Sequence, residues 1–180
     1  MDDPKAINAI RAKLDETWLS ERALAAPSEF YVAVSVICDL KCPYCPRQVF
    51  PREKVNSGVM PERFWRPLVP WMRYAEMAHL FGLGEPFLFR HFFEWHAEAK
   101  AQGARTATTT HGMSLNESTR RRLLDSGLDT LMISIDGATP ATFNHLRAGA
   151  DFETVCENLR RLVETRDAEG RATPAKIGRA

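Results

Sequence analysis

The sequence alternates strand-like and helix-like segments, and this alternation leaves few folds open. Runs rich in β-branched and aromatic residues predict strands at 30–38, 75–82, 105–110 and 130–136. Helices are predicted between and after them, at 60–72, 89–103 and 116–127 and after the N-cap residues Thr139 and Asp151. Such alternation is typical of right-handed crossovers between parallel strands. We therefore expect an α/β fold with about four β/α units.

A helical extension is predicted in front of this repeat. Ile7, Ile10, Leu14 and Trp18 recur at helical spacing, which predicts an amphipathic helix over about 25 residues, ending before Pro27. We expect three units, namely this extension at 1–28, the α/β core at 29–168, and a polar tail or the start of a fifth strand at 169–180.

The charge and hydropathy patterns argue against some classes of protein. The 180-residue chain has 24 basic and 23 acidic residues, a balance that argues against a nucleic-acid partner. Its N-terminus lacks the apolar run of a secretory signal, and no stretch approaches the roughly 20 apolar residues that span a bilayer. We therefore expect a cytoplasmic protein with no membrane partner, in which clustered cysteines are metal ligands or redox groups.

Each predicted strand ends in residues that can take part in chemistry. The first ends at Cys38, the second at Gly-Leu-Gly-Glu-Pro (82–86), the third at Thr-Thr-His-Gly (109–112) and the fourth at Ser-Ile-Asp-Gly (134–137). In parallel β/α folds the carboxyl ends of the strands share one face, where the reactive groups lie. The four endings therefore predict a single site.

Three of the four cysteines, Cys38, Cys42 and Cys45, form a C-x3-C-x2-C motif after the first strand. Three thiolates at this spacing suit a 4Fe–4S cluster in which one iron keeps an open coordination position. A zinc site needs a fourth ligand and a ferredoxin-type carrier normally uses four cysteines, so both alternatives match less well. Cys156 lies on the apolar stripe of the last predicted helix, where a core residue is expected rather than a fourth ligand.

The C-x3-C-x2-C motif, which has Tyr44 just before its last cysteine, resembles the cluster-binding motif of the radical S-adenosylmethionine (AdoMet) enzymes. Residues 83–86 are similar to the glycine-glycine-glutamate-proline motif of that family. Residues 109–112 are similar to its threonine-asparagine-glycine strand ending, with His111 in place of asparagine. Residues 134–137 resemble the ending of its fourth strand. The order of these motifs supports the resemblance more than any one of them alone.

The resemblance implies a fold, cofactors and a reaction. It covers residues 30–163 and is strongest to peptide-modifying and cofactor-maturing (SPASM-type) members. It implies a partial TIM-like (β/α) barrel with a 4Fe–4S cluster and AdoMet as cofactors. In this family the open iron is chelated by the amino and carboxylate groups of AdoMet, and reduction releases a 5′-deoxyadenosyl radical that abstracts hydrogen. We therefore expect an oxidoreductase acting on a peptide or small molecule, reduced by a flavodoxin- or ferredoxin-type donor.

The resemblance also implies roles for individual residues. The expected catalytic cluster ligands are Cys38, Cys42 and Cys45. The expected cofactor-binding residues are Gly84 and Glu85 at the methionine amine, Ser134, Thr110 and Arg147 at the ribose or carboxylate, and Tyr44 near the adenine, together with Pro86 and Asp136. Alternatives remain open at three positions, with Glu85 as an ordinary first-turn helix acid, His111 as a partner of loop backbone and Arg147 as a solvated helix residue.

The predicted repeat is shorter than the core of the family. The family barrel typically has six β/α units, whereas this sequence predicts four. Incomplete sheet edges expose apolar surface, so we expect a fragment of a longer enzyme or a chain completed by a partner or by self-association. The alternative function is a truncated, catalytically incomplete iron–sulfur module that serves as a binding or assembly partner or as an electron carrier.

Overall fold

The computed structural model describes residues 3–18, 22–51 and 58–179. Within them, five parallel strands form one open sheet in sequence order. The strands are β1 (Glu29–Tyr31), β2 (Met77–His79), β3 (Arg105–Thr110), β4 (Thr130–Ile133) and β5 (Lys176–Arg179). Because neighbouring strands are parallel, their carboxyl ends lie along one edge of the sheet. The α/β class and the parallel sheet expected from the sequence are confirmed.

The helices lie between the strands, apart from one that precedes the sheet. They are α1 (Pro4–Trp18), α2 (Pro46–Val49), α3 (Glu62–Trp65), α4 (Phe92–Ala101), α5 (Glu117–Ser126), α6 (Pro140–Leu146) and α7 (Phe152–Ala168). Two short 3₁₀ segments, at Val69–Tyr74 and Pro86–Leu88, precede β2 and α4. In the described part of the chain, none of the helices combines the length and apolar character needed to cross a membrane.

The second half of the chain follows its local sequence signals closely. The side chains of Asn116, Thr139 and Asp151 each accept a hydrogen bond from a backbone N–H in the first turn of α5, α6 and α7. Gly127 ends α5 in the left-handed conformation, with φ 69°. These caps explain why the predicted helix boundaries agree with the observed ones.

The first strand is shorter than the predicted 30–38, and the last hydrogen bond from this run to β2 joins the Val32 N–H to the His79 carbonyl at 2.8 Å. Beyond that point its backbone pairs with a different segment. The N–H of Val36 donates to the carbonyl of Gly58 at 3.0 Å, and the N–H of Met60 donates to the carbonyl of Val34 at 3.0 Å. The extended run therefore continues, but it forms a local pairing and no longer belongs to the parallel sheet.

The helix predicted at 60–72 is interrupted. The structure has the single turn α3 there, followed by the 3₁₀ segment at Val69–Tyr74. Pro67 and Pro70 lie between and within these two pieces. Proline lacks the N–H that an α-helix needs and clashes with the preceding turn, so a continuous helix is not possible here.

Helix α1 buries a polar residue instead of the predicted apolar stripe. Ile7, Ile10 and Leu14 are 38%, 64% and 41% exposed, whereas Asn8 is 4% exposed. The Asn8 amide donates to the carbonyl of Ala26 at 3.0 Å and accepts from the N–H of Ala26 at 2.7 Å. These two hydrogen bonds hold the Asn8 face of α1 against the segment that leads into β1. The Trp18 side chain and residues 19–21 lie outside the described part of the chain.

The hydrophobic core packs between the sheet and its helices. Trp65 of α3 stacks on Trp95 of α4 with ring centroids 4.7 Å apart, and both are at most 3% exposed. A second cluster packs β4 against α5, α6 and α7, and Phe87 and Phe93 contact both clusters. This continuous layer holds the strands in register and so positions the residues at their carboxyl ends.

Candidate active site at the carboxyl ends of the strands

The motifs at the carboxyl ends of the strands meet at one pocket of about 250 Å³. Each predicted strand ending from the first to the fourth contributes to its wall, as the parallel arrangement predicts. The lining residues are Cys38, Leu40, Cys42, Tyr44, Cys45, Pro46, Arg47, Phe81, Gly82, Leu83, Gly84, Glu85, Thr109, Thr110, His111, Ser134 and Arg147.

The segment from Cys38 to Cys45, the thiol loop, is anchored at its middle and at its end. The Leu40 side chain is 5% exposed within the core, and the N–H of Lys41 donates to the carbonyl of Ala148 at 2.8 Å. Pro46 then begins α2 directly after Cys45. The three cysteines are free thiols in the structure, and all three line the pocket. Burial raises the pKa of the Cys38 and Cys42 thiols, so metal binding there releases protons.

The set of donor atoms at the pocket suits a cluster better than a single zinc ion. A structural zinc site uses four protein ligands. The thiols in the wall of this pocket are the three free cysteines Cys38, Cys42 and Cys45. Three free thiols around one pocket therefore fit a polynuclear group such as 4Fe–4S, for which thiolate is the usual protein ligand.

The loop after β2 packs directly on the chain that leads into the thiol loop. The N–H of Glu85 donates to the carbonyl of Ile37 at 2.8 Å. A Cβ atom at Gly84 would lie 2.6 Å from the carbonyl oxygens of Ser35 and Ile37 and 2.8 Å from the Ile37 nitrogen. Only glycine permits this backbone approach, so Gly84 sets the distance between the two loops.

Glu85 is a buried carboxylate that organises the end of β3. It is 1% exposed, and it accepts hydrogen bonds from the Thr110 hydroxyl at 2.7 Å and the His111 N–H at 3.0 Å. It also caps the 3₁₀ segment by accepting from the Phe87 N–H at 3.4 Å, so the predicted helix-acid alternative describes one of its contacts. Burial raises the pKa of Glu85, and the His111 and Thr110 contacts oppose that shift.

Arg147 lies at the end of α6 and faces the site. Its Nε donates to the Asp136 carboxylate, its side chain is 18% exposed, and its guanidinium lies 5.7 Å from the centre of the Tyr44 ring. The Tyr44 hydroxyl donates to the same carboxylate at 2.5 Å. Burial and the bond to Asp136 raise the pKa of Tyr44. The solvated-residue alternative for Arg147 is therefore wrong.

Most of the residues singled out from the sequence meet at the pocket, and two do not. Pro86 is buried beneath the loop, and Asp136 reaches the site through Tyr44 and Arg147. Sequence reasoning missed Phe81, which lines the pocket, and Asp39, whose carboxylate lies 2.9 Å from His111. The position of Phe81 directly before Gly82 could have indicated its role from the sequence. The contact between Asp39 and His111 is visible only in the fold. Cys156 is half-buried on α7 and does not line the pocket.

Three larger cavities lie elsewhere in the described structure. One of about 590 Å³ lies beside α1, one of about 370 Å³ lies between α3 and the start of α4, and one of about 280 Å³ lies between α5 and α7. None of the three has a cysteine in its wall. The smaller pocket at the carboxyl ends is therefore the better candidate site, because it combines thiols with buried polar groups.

Comparison with known proteins supports this choice. The family model described as the radical SAM superfamily matches residues 32–167. The chain is 24% identical over 151 residues to the tungsten-containing aldehyde ferredoxin oxidoreductase cofactor-modifying protein of Pyrococcus furiosus, covering 81% of this chain and 41% of that protein. It is 28% identical over 110 residues to the PqqA peptide cyclase of Rhizobium meliloti, covering 61% and 29%. The chain thus spans less than half the length of these relatives.

Solved structures show the same fold. SuiB of Streptococcus suis bound to S-adenosylmethionine matches 89% of this chain and 36% of its own with a TM-score of 0.65 at 19% identity. The anSMEcpe structure with bound AdoMet matches 85% of this chain and 44% of its own with a TM-score of 0.61 at 21% identity. These likenesses identify the sheet and its helices as the partial TIM-barrel architecture. Because the family match covers most of the sequence, the chain belongs to the radical SAM superfamily.

Proposed function

We propose that this chain is the AdoMet-cleaving core of a radical SAM enzyme. The observation that supports it most directly is the meeting of three free thiols with Gly84, Glu85 and the ends of β3 and β4 at one pocket. A site that joins thiolate ligands to buried hydrogen-bonding groups suits a cluster with a chelating organic cofactor.

In this proposal the residues of the chain bind the cluster and AdoMet, orient them and shield them from water. Cys38, Cys42 and Cys45 would hold the cluster, and the backbone at Gly84 would lie beside the amine of AdoMet. Ser134, which is 7% exposed, continues the pairing of β3 and β4 by donating its N–H to the Thr110 carbonyl at 2.9 Å. When bound, the reduced cluster and AdoMet supply a 5′-deoxyadenosyl radical for hydrogen abstraction. The apolar side chains of Leu40 and Phe81 in the wall help to exclude water.

For the substrate we propose a peptide or a small molecule. One relative is named a PqqA peptide cyclase, and SuiB has been solved with its precursor peptide SuiA. Another relative is named a cofactor-modifying protein, and this name supports the small-molecule alternative. A flavodoxin- or ferredoxin-type electron donor, oxidoreductase chemistry and a cytoplasmic location remain predictions.

The second candidate function is a catalytically incomplete iron–sulfur module. The edge strand β1 favours it, since Tyr31 is 67% exposed while its ring stacks on His79 with centroids 4.2 Å apart. An exposed aromatic ring at a sheet edge suggests that further protein covers this surface. The two candidates differ in whether this chain cleaves AdoMet without that cover.

Anaerobic reconstitution with iron and sulfide, followed by AdoMet and a reductant, tests the proposal. We expect wild type and Cys156→Ala to bind iron equally and to form 5′-deoxyadenosine, measured by chromatography. Cys42→Ala is expected to lose both. A cluster-bearing chain that forms no 5′-deoxyadenosine would favour the incomplete module, and product from Cys42→Ala would refute both candidates.

A further inference from the structure

His111 lies between two carboxylates that belong to different loops. Its Nε2 atom is 2.9 Å from Oδ1 of Asp39 in the thiol loop and 3.2 Å from Oε2 of Glu85 in the loop after β2. The His111 side chain is 3% exposed. Because Asp39 directly follows Cys38, the imidazole of His111 connects three parts of the site, namely the first thiol, the loop after β2 and the end of β3.

The other ring nitrogen determines where the imidazole carries its proton. Nδ1 of His111 accepts the backbone N–H of Met113 at 3.1 Å. A proton on Nδ1 would face that N–H, so the neutral ring carries its hydrogen on Nε2 and donates it to the carboxylates. Metal ligation through Nε2 would require the proton to move to Nδ1. Although Cys38, Asp39 and His111 lie within 4.8 Å of one another, they therefore form a hydrogen-bond bridge rather than an ion site.

The bridge has one buried end and one exposed end. The Glu85 side chain is 1% exposed and also accepts a hydrogen bond from the Thr110 hydroxyl, so its position is fixed. The Asp39 side chain is 53% exposed and would otherwise be free to adopt several rotamers. The buried Glu85 therefore fixes the position of His111, and His111 in turn restricts Asp39 at the start of the thiol loop.

We propose that His111 is a positioning residue that fixes Cys38 relative to the Glu85 loop. Its relevance to catalysis rests on the proposed function, since Cys38 would hold the cluster and the Glu85 loop would hold AdoMet. An asparagine here would place its amide nitrogen near the position of Nδ1, too short to reach Asp39. The imidazole at this position thus provides a link to the thiol loop that asparagine does not.

Alkylation of individual cysteines in the metal-free chain of 180 residues tests the bridge. Iodoacetamide would be applied to folded protein under reducing, anaerobic conditions, and modification would be followed at each cysteine by peptide mass spectrometry. In His111→Asn we expect Cys38 to react about five-fold faster, as loss of one hydrogen bond predicts. Cys156 on α7 is the internal control and should keep its rate. The matched variant His145→Asn, at an exposed position on α6, should change neither rate.

The partner variant separates positioning from general loosening. Asp39→Ala removes the exposed end together with the weak contact and the negative charge that Asp39 presents to the Cys38 thiol. With rates expressed per thiolate, from alkylation measured across a range of pH, it should accelerate Cys38 as much as His111→Asn does, and the double variant should add nothing further. An unchanged Cys38 rate in Asp39→Ala would overturn the bridge, even if His111→Asn loosens the whole fold. So would fully additive effects in the double variant. Because alkylation needs neither cluster nor AdoMet, a chain that forms no 5′-deoxyadenosine would refute the proposed function and leave the bridge standing.

Discussion

The Tyr44 hydroxyl donates a hydrogen bond of 2.5 Å to the Asp136 carboxylate and so joins the thiol loop to the chain after β4. These residues are 92 positions apart in sequence. The same carboxylate accepts from Nε of Arg147. Asp136 therefore holds two side chains that flank the pocket, while its own side chain is not part of the wall.

Replacing Asp136 should cost more stability than replacing the Tyr44 hydroxyl. Asp136→Asn leaves the mostly buried Arg147 without its charge partner, and we expect a loss of about 2 kcal/mol in the free energy of unfolding. Tyr44→Phe removes one hydrogen bond at a half-exposed ring and should cost about 1 kcal/mol or less. Urea titration of the metal-free chain measures both. The exposed pair of Arg160 with Glu164 offers a control, because Glu164→Gln should cause no measurable change. Equal losses for Tyr44→Phe and Asp136→Asn would contradict the central position of Asp136.

Gly84→Ala should disrupt the site, because the new methyl group would meet backbone atoms of Ser35 and Ile37 that cannot rotate away. We expect loss of the Glu85–Ile37 hydrogen bond and at least a ten-fold weaker affinity for AdoMet in the reconstituted protein, or about 1.4 kcal/mol. Equilibrium dialysis measures the affinity. Gly103→Ala is the matched control, since Gly103 has φ +86° but a Cβ atom added there would meet no other atom within 4 Å. It should cost about 1 kcal/mol of stability and leave AdoMet binding unchanged. Full AdoMet affinity in Gly84→Ala would show that the close approach is not needed.

His96 should make the fold sensitive to mild acid. It is fully buried, its Nε2 lies 2.8 Å from the Thr106 hydroxyl, and burial together with Lys100 lowers its pKa to about 4. Below pH 6.5 the unfolded chain binds a proton at this histidine that the native chain does not, so stability falls as the pH falls. Between pH 7 and pH 5 we expect this group to remove about 2 kcal/mol.

The variant His96→Gln tests this pH dependence, because its amide keeps a donor for Thr106 and does not titrate. Urea titrations at pH 7 and pH 5 should show a smaller acid loss in the variant than in wild type, by about 2 kcal/mol. His145→Gln, at an exposed position, should behave as wild type. An identical acid loss in His96→Gln and wild type would place the sensitivity elsewhere.

Local signals predicted the second half of the fold better than the first. Asn116, Thr139 and Asp151 cap their helices through their own side chains, so the sequence alone locates these boundaries. The first strand illustrates the limit, because residues 34–36 have strand-like composition but pair with 58–60 rather than with the sheet. Composition favours an extended backbone without specifying its partner.

The same distinction applies to the site. The motif order predicted that the cysteines, Glu85 and Ser134 would converge, because parallel strands bring their carboxyl ends together. The bridge through His111 to Asp39 depends on side-chain distances between segments 72 residues apart, which no local pattern specifies. The hydrogen bonds that the Asp136 carboxylate accepts from Tyr44 and Arg147 likewise follow from the fold and not from a local pattern, and its expected contact with a cofactor stays a prediction.

The most direct test of the central proposal is a titration of the reduced, reconstituted cluster with AdoMet, followed by electron paramagnetic resonance. Three cysteine ligands leave one iron open, so we predict a saturable change of the spectrum in wild type and the same change in Cys156→Ala. A reduced cluster whose spectrum stays unchanged at saturating AdoMet would contradict the proposal, because it would show that this pocket offers no open iron to the cofactor.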